Sequence, residues 1–168
     1  MRVGIGFDMH PFTSGRRLVL GGITVPFELG LEGWSDGDVL THAVIDALLG
    51  AAAMGDIGTH FPSGDEQYRD IHSLILLTRV GALLDEHSWQ VLNLDATVIA
   101  DEPKLGYYID GMRQNLAFSV NIPMARVSVK PHTTNGMGIS AGRQGIAAYA
   151  VCLIDDKPKI DIPLDLTV

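Results

Sequence analysis

The chain has 168 residues and a mass of 18.1 kDa, and 46% of it is apolar, enough for one domain with a substantial core. Its formal charge of −8 and pI near 5.0 argue against a phosphate-backbone binder, since nucleic-acid proteins concentrate Lys and Arg on one face. If the ligand is anionic, a metal or a few local cations must hold it.

Residues 2–9 alternate Val3, Ile5, Phe7 and Met9 with Gly4, Gly6 and Asp8, the period-two signature of a half-buried strand. The chain opens into that strand with no long apolar run and no basic, serine-rich leader, so a cytoplasmic protein without a membrane span is expected. "LVLGGITVP" (18–26) reads as a hairpin about Gly-Gly. From 36 to 54 the period becomes helical, with Val39, Leu40, Ala43, Val44, Ala47 and Leu48 on the apolar positions, Ser35 or Asp36 as N-cap and Gly55 as the stop.

A loop over 55–68 leads to a second helix over 70–87, a strand over 92–100, a polar turn "DEPK" and a third helix over 106–119. A strand over 125–130 empties into the glycine-rich loop "PHTTNGMGISAG". The last strand, 145–154, is apolar on both faces and so expected to be central, with the lone Cys152 as a small core residue. The sum is an α+β fold: a single mixed β-sheet of about four main strands, three helices packed on one face, and a small N-terminal hairpin. One domain spans 1–157, followed by a C-terminal extension over 158–168.

Four stretches could carry chemistry. In "DMH", residues i and i+2 of a strand point to one side, so Asp8 and His10 can converge on one ion. The best third ligand is His42, which forms a polar stripe with Asp38 and Asp46 at i, i+4 and i+8 of an otherwise apolar helix. Asp46 is then the acid placed to orient its second ring nitrogen. Asp with two His leaves one tetrahedral zinc position open. The alternative is a turn cap, a loop histidine and a solvated helix face.

"VKPHTTNGMG" offers hydroxyls and backbone N–H groups to a phosphate, or is a polar turn. Asp56 in "GDIGTHFPSGD" can bond a polyol, or cap a loop. "ADEPKLG" could read a base edge while Lys104 meets a phosphate, or is a surface turn.

Taken in order, "GFDMH", "SDGDVLTHAVIDALLGAAAMGDIG", "FP", "DATVIADEPK" and "VKPHTTNGMG" resemble the 2-C-methyl-D-erythritol 2,4-cyclodiphosphate synthase family over residues 1–155. The resemblance implies a homotrimer with active sites between subunits and Zn2+ held by Asp8, His10 and His42. It also implies a second divalent ion, Mg2+ or Mn2+, and a cytidine diphosphate-linked substrate that cyclises with release of CMP. Ser35 matches a phosphate contact; Asp56, Ile57 and Gly58 match the methylerythritol contacts, with Phe61 and Asp65 bordering that pocket. Ala100, Pro103, Lys104, Leu105 and Gly106 match the cytidine side, and His132 and Thr134 the diphosphate loop. Thr133 matches a transition-state stabiliser.

The chain departs from the family at several of these positions. Trp34 stands where a histidine is usual, and an indole can donate only through its N–H. Asn135 stands for the glutamate that binds the second metal, and Ser63 for a common aspartate. "GISAGRQG" differs from the family's loop at Ile139, Gly142 and Arg143. Besides a working synthase, these changes leave open a zinc-bearing trimer that binds a nucleotide or isoprenoid diphosphate without efficient turnover.

Overall fold

The computed structural model describes residues 1–137 and 144–158. In chain order the elements are β1 (Arg2–Thr13), β2 (Leu18–Leu20), β3 (Ile23–Val25), β4 (Gly30–Leu31), α1 (Val39–Ala52), α2 (Ile57–His60), α3 (Ser73–Glu86), β5 (Trp89–Ile99), α4 (Ile109–Ser119), β6 (Val127–His132) and β7 (Gly145–Asp156). The main sheet has the order β4-β1-β7-β5-β6, with β5 and β6 parallel and the other neighbours antiparallel. The expected α+β sheet of four long strands is present, the doubly apolar β7 is central, and β2 and β3 form the separate hairpin. Cys152 is buried in the core, where its thiol donates to the Ala47 carbonyl and burial pushes its pKa up to about 11.

Register explains which face of the sheet is covered. Gly4, Cys152, Leu94 and Val127 align across β1, β7, β5 and β6, as do Gly6, Ala150, Ala96 and Val129. All these rows face the helices and are buried. On β1 the face turned to α1 is the glycine one, while Val3 and Ile5 on the opposite face are 67% and 69% exposed. A Cβ on Gly4 or Gly6 would stand 1.9 Å from the carbonyl oxygen of Ala47 or Ala43 in α1. The missing side chains therefore let helix and strand approach backbone to backbone, and this brings His42 to Asp8.

Several boundaries differ from the sequence expectation. The first helix starts at Val39 and not near 36, because Asp38 is its N-cap. The Asp38 carboxylate accepts from Thr41 N and Oγ1 and from Gly21 N and Gly22 N, so it also anchors the β2–β3 turn. Ser35 and Asp36, the expected caps, are engaged elsewhere. The helix ends at Ala52, capped by Ala53 in the left-handed region with φ of 59°, and not at Gly55.

The expected loop over 55–68 contains α2 and a 3-10 turn at Glu66–Tyr68. The second helix begins at Ser73 and not at 70. The third is a 3-10 turn, Gly106–Tyr108, running into α4. A further turn at Met124–Arg126 delays β6, which extends to His132 because both Pro131 and His132 pair with β5. Strand β7 continues two residues past 154. Among the described residues no helix is long and apolar enough to cross a membrane. Ile139, Gly142 and Arg143 lie outside the described residues, as does the 158–168 extension beyond Pro158.

Candidate metal centre

Asp8 and His10 lie on β1, on the face turned to α1, and the first turn of α1 carries His42. The Asp8 Oδ2 is 2.9 Å from His10 Nε2 and 2.9 Å from His42 Nδ1, and the two ring nitrogens are 3.3 Å apart. Tetrahedral zinc with bonds of about 2.0–2.1 Å holds its donors roughly 3.4 Å apart, so the three atoms can close on one ion with little movement. They are the cluster of ligating side chains, among the described residues, arranged to hold a divalent metal. The donor set fits: two imidazoles and one carboxylate suit a borderline ion and leave an open position.

The electrostatics couple the carboxylate to the two imidazoles. Burial works to raise the Asp8 carboxyl, but hydrogen bonds and charge from His10 and His42 outweigh it and hold it far below the ordinary 3.8. Burial works to lower the His42 imidazole, yet the hydrogen bond and charge of Asp8 bring it above the ordinary 6.5.

A depressed carboxyl contributes stability that is present above 3.8 and lost as pH falls through its folded value. A raised imidazole contributes stability that is complete below 6.5 and lost as pH rises through its folded value. The pair therefore stabilises metal-free protein most between those two limits. Zinc competes with protons for the same nitrogens, so its increment should grow with pH. Thermal melts from about pH 5 to about pH 8 should show the metal-free contribution falling while the zinc-induced rise in Tm increases. A zinc increment that shrank with pH would place the metal on other ligands.

The outer nitrogen of His42 is held by two hydroxyls, Ser73 Oγ at 2.8 Å and Ser35 Oγ at 3.0 Å. Ser35, expected at a phosphate, thus touches the metal ligand itself. Asp46, expected to orient the ring, does not: its Oδ1 accepts from Ile57 N at 2.8 Å. One turn of helix separates Asp46 from His42 along α1, but the ring points toward β1 while the carboxylate reaches the start of α2. Asp46 therefore fixes the segment bearing Asp56, Ile57 and Gly58. The Asp56 carboxylate caps α2 by accepting from Thr59 N and Oγ1, each at 2.8 Å.

A cavity of about 200 Å³ opens over the cluster, lined by Asp8, His10, His42, Trp34, Ser35, Ile57, Gly58, Phe61, Ser63, Tyr68 and Leu76. Trp34 forms a wall. Its Nε1–H donates to the Asp65 carbonyl at 2.8 Å, and the Arg69 guanidinium lies 4.4 Å from its ring centroid. Asp70 N donates to the Trp34 carbonyl at 2.8 Å, so the indole belongs to a seam joining the 33–36 segment to the 65–71 loop. Arg16 clamps that seam, donating to the carbonyls of Gly33, at 2.6 Å, and Ser35. Sequence reasoning missed Arg16, Arg69 and Ser73, whose contacts here with Gly33, Trp34 and His42 span 17 to 35 positions with no local pattern to mark them.

The remaining expected residues gather elsewhere, at the carboxyl ends of parallel β5 and β6. Ala100 N donates to the His132 carbonyl at 2.9 Å, and Thr134 N and Oγ1 donate to the Asp101 carboxylate, each at 2.8 Å. Thr133 Oγ1 donates to Asn135 Oδ1 at 3.2 Å. Pro103, Lys104, Leu105 and Gly106 follow in the turn before α4, with Leu105 buried. Asp8, Ala148, Val98 and Pro131 are successive partners across the sheet. Three strand spacings, about 14 Å, thus separate the metal ligands from the Thr133 loop within one chain.

The YgbB family model matches residues 1–155. A 2-C-methyl-D-erythritol 2,4-cyclodiphosphate synthase of Syntrophomonas wolfei subsp. wolfei is 55% identical over 155 residues, covering 92% of this chain and 99% of that protein. Among solved structures, the bifunctional IspDF of Campylobacter jejuni superposes with a TM-score of 0.88 at 34% identity, covering 92% of this chain, which spans 42% of that longer protein. A Plasmodium falciparum IspF in complex with CDP gives a TM-score of 0.81 at 30% identity, covering 93% of this chain and 96% of that one.

Proposed function

The chain belongs to the YgbB family, and from that premise we infer that it converts 4-diphosphocytidyl-2-C-methyl-D-erythritol 2-phosphate to 2-C-methyl-D-erythritol 2,4-cyclodiphosphate and CMP. The observation that carries the reading is the convergence of Asp8, His10 and His42 on one point beside a cavity. The substrate's 2-phosphate oxygen attacks the β-phosphorus, the bond to the bridging oxygen breaks, and CMP leaves with that electron pair. Two anionic groups must be brought in line, so positioning and charge neutralisation do most of the work. Zinc, when bound by these three ligands, supplies that neutralisation at a phosphate oxygen.

The chain's own residues supply the rest. Asp56 and Gly58, on the segment that Asp46 fixes through Ile57 N, are set to bind the methylerythritol hydroxyls, with Ile57 and Phe61 closing the apolar side. The 100–106 turn and His132 form the cytidine and diphosphate side, with Thr133 facing the transferred phosphoryl and Asn135 as an oxygen ligand for Mg2+ or Mn2+. An amide oxygen is a weaker partner than a carboxylate for such an ion. The separation of about 14 Å between the two halves supports a homotrimer in which one subunit's metal meets its neighbour's Thr133 loop. The exposed apolar row Val3, Ile5, Phe7 and Met9 supplies a face for that assembly. The expected setting is the cytoplasm, with neither nucleic acid nor membrane as a partner.

Incubation with the cytidyl substrate and Mg2+ or Mn2+, followed by chromatography, tests the reading. CMP with cyclic diphosphate sustains it; CMP with a linear diphosphate, or tight CDP binding without CMP, overturns it.

Trp34 has a specific expectation. Because its N–H is spent on Asp65, it acts on the pocket wall and not on phosphate. Trp34→Phe should keep zinc and raise KM roughly 3- to 10-fold with a smaller change in kcat, the size of one lost hydrogen bond. Steady-state CMP release measures this. A fall in kcat of about 100-fold at unchanged KM would show the indole N–H acting in the transition state.

A further inference from the structure

A histidine serves a metal only if the lone pair of the correct nitrogen faces it, and what meets the other nitrogen decides that. For His42 the other nitrogen is Nε2, which meets Ser73 Oγ at 2.8 Å. Ser73 is fully buried at the start of α3, and its hydroxyl hydrogen is already committed. It goes to Asp36 Oδ1 at 2.5 Å, while Ser73 N donates to Asp36 Oδ2 at 3.0 Å. A hydroxyl whose only hydrogen is given to a carboxylate offers lone pairs alone, so it must accept from an Nε2–H. That leaves Nδ1 to face Asp8 and His10.

We propose that Asp36 and Ser73 are a positioning pair for the metal centre, a carboxylate acting through a serine hydroxyl to hold the His42 ring with Nδ1 toward the ion. Direct contact between a carboxylate or carbonyl and the ring is the common solution to this task. Here a serine is interposed, and the acid comes from the segment before α1 and not from Asp46 on the helix. The arrangement is rigid because Asp36 N also donates to the Ile71 carbonyl at 3.0 Å, fastening the α1 entrance to the α3 entrance. Ser35 Oγ stands 3.0 Å from the same ring nitrogen, and among the described residues its other contacts are Ser73 Oγ at 3.5 Å and Gly37 N at 3.4 Å, so no carboxylate there fixes its hydroxyl and it can follow the ring without dictating its orientation.

The proposal rests on the metal-site reading above and is tested by zinc affinity, whatever the turnover. Full-length protein is stripped, confirmed folded by circular dichroism, and titrated with zinc against a chromogenic chelator. Ser73→Ala should bind zinc about 10- to 100-fold more weakly than the parent. Asp36→Asn, which keeps an oxygen acceptor but loses the charge, should weaken binding less. The double variant should be no weaker than Ser73→Ala alone, because the two groups act in series. Asp46→Asn should stay within about twofold of the parent.

Folded Ser73→Ala within twofold of the parent, additive losses in the double variant, or an equal loss in Asp46→Asn would each overturn the pair. If Ser73→Ala does not fold, Asp36→Asn decides alone, and unchanged affinity there overturns it. A parent that binds zinc but releases no CMP would remove the cyclase reading and leave the pair standing.

Discussion

Asp8→Ala is expected to purify with close to no zinc and to lose CMP release by at least about 100- to 1,000-fold, the scale of removing one essential electrostatic group. The reason is local. Asp8 Oδ2 is the one anionic oxygen shared by both imidazoles, at 2.9 Å from each. Without it, two ring nitrogens 3.3 Å apart face one another with no charge to balance a divalent ion. The fold should survive, since Asp8 lies at the cavity and not among the packed aliphatic residues. Metal analysis and the CMP assay measure the two effects. A variant that kept one tightly held zinc per chain would assign the ion to other residues.

The second large effect lies in the backbone. Gly6→Ala should destabilise the chain by about 3 kcal/mol, at the upper end of the cost of overpacking. For a chain of this length that lowers Tm by roughly 6 to 12 °C. The new methyl would meet the Ala43 carbonyl oxygen at 1.9 Å and the Ala47 nitrogen at 2.6 Å. Both are backbone atoms of α1, and neither can rotate away. Relief requires helix and strand to separate, which moves His42 from Asp8, so zinc affinity should fall with Tm.

Gly50→Ala is the control within the same helix. Its added Cβ would have no neighbour nearer than the Ile5 carbonyl oxygen at 3.9 Å. Replacing a helical glycine there should be neutral or stabilising by about 0.5–1 kcal/mol. Thermal melts of the two variants separate the clash from a generic intolerance of α1. Equal losses in both would show that close approach is not what fixes the interface.

Most of the fold was legible because its signals are local. Strand β1 and helix α1 announce themselves by hydropathic period and strand β7 by an unbroken apolar run, and the i, i+2 spacing of Asp8 and His10 places them on one side of a strand. The helical stripe of Asp38, His42 and Asp46 was visible as well, but its three members do different things. Asp38 holds the β2–β3 turn and caps α1, His42 faces the metal position, and Asp46 holds α2. Spacing along a helix tells which residues share a face, and not which neighbour each will reach.

The sequence alone determined which three side chains are candidate metal ligands, the α+β class and the order of the elements, since these follow from residue chemistry and short-range period. Tertiary structure decided which face of β1 is covered, because hydropathy counts side chains while the approach of α1 depends on two side chains that are missing. It decided too that the Trp34 N–H turns to Asp65, and that Ser73 and Asp36, not Asp46, stand behind His42. Those partners lie 31 to 37 positions apart in the chain. Only the packing of α3 and the 65–71 loop against the entrance of α1 brings them within hydrogen-bond reach.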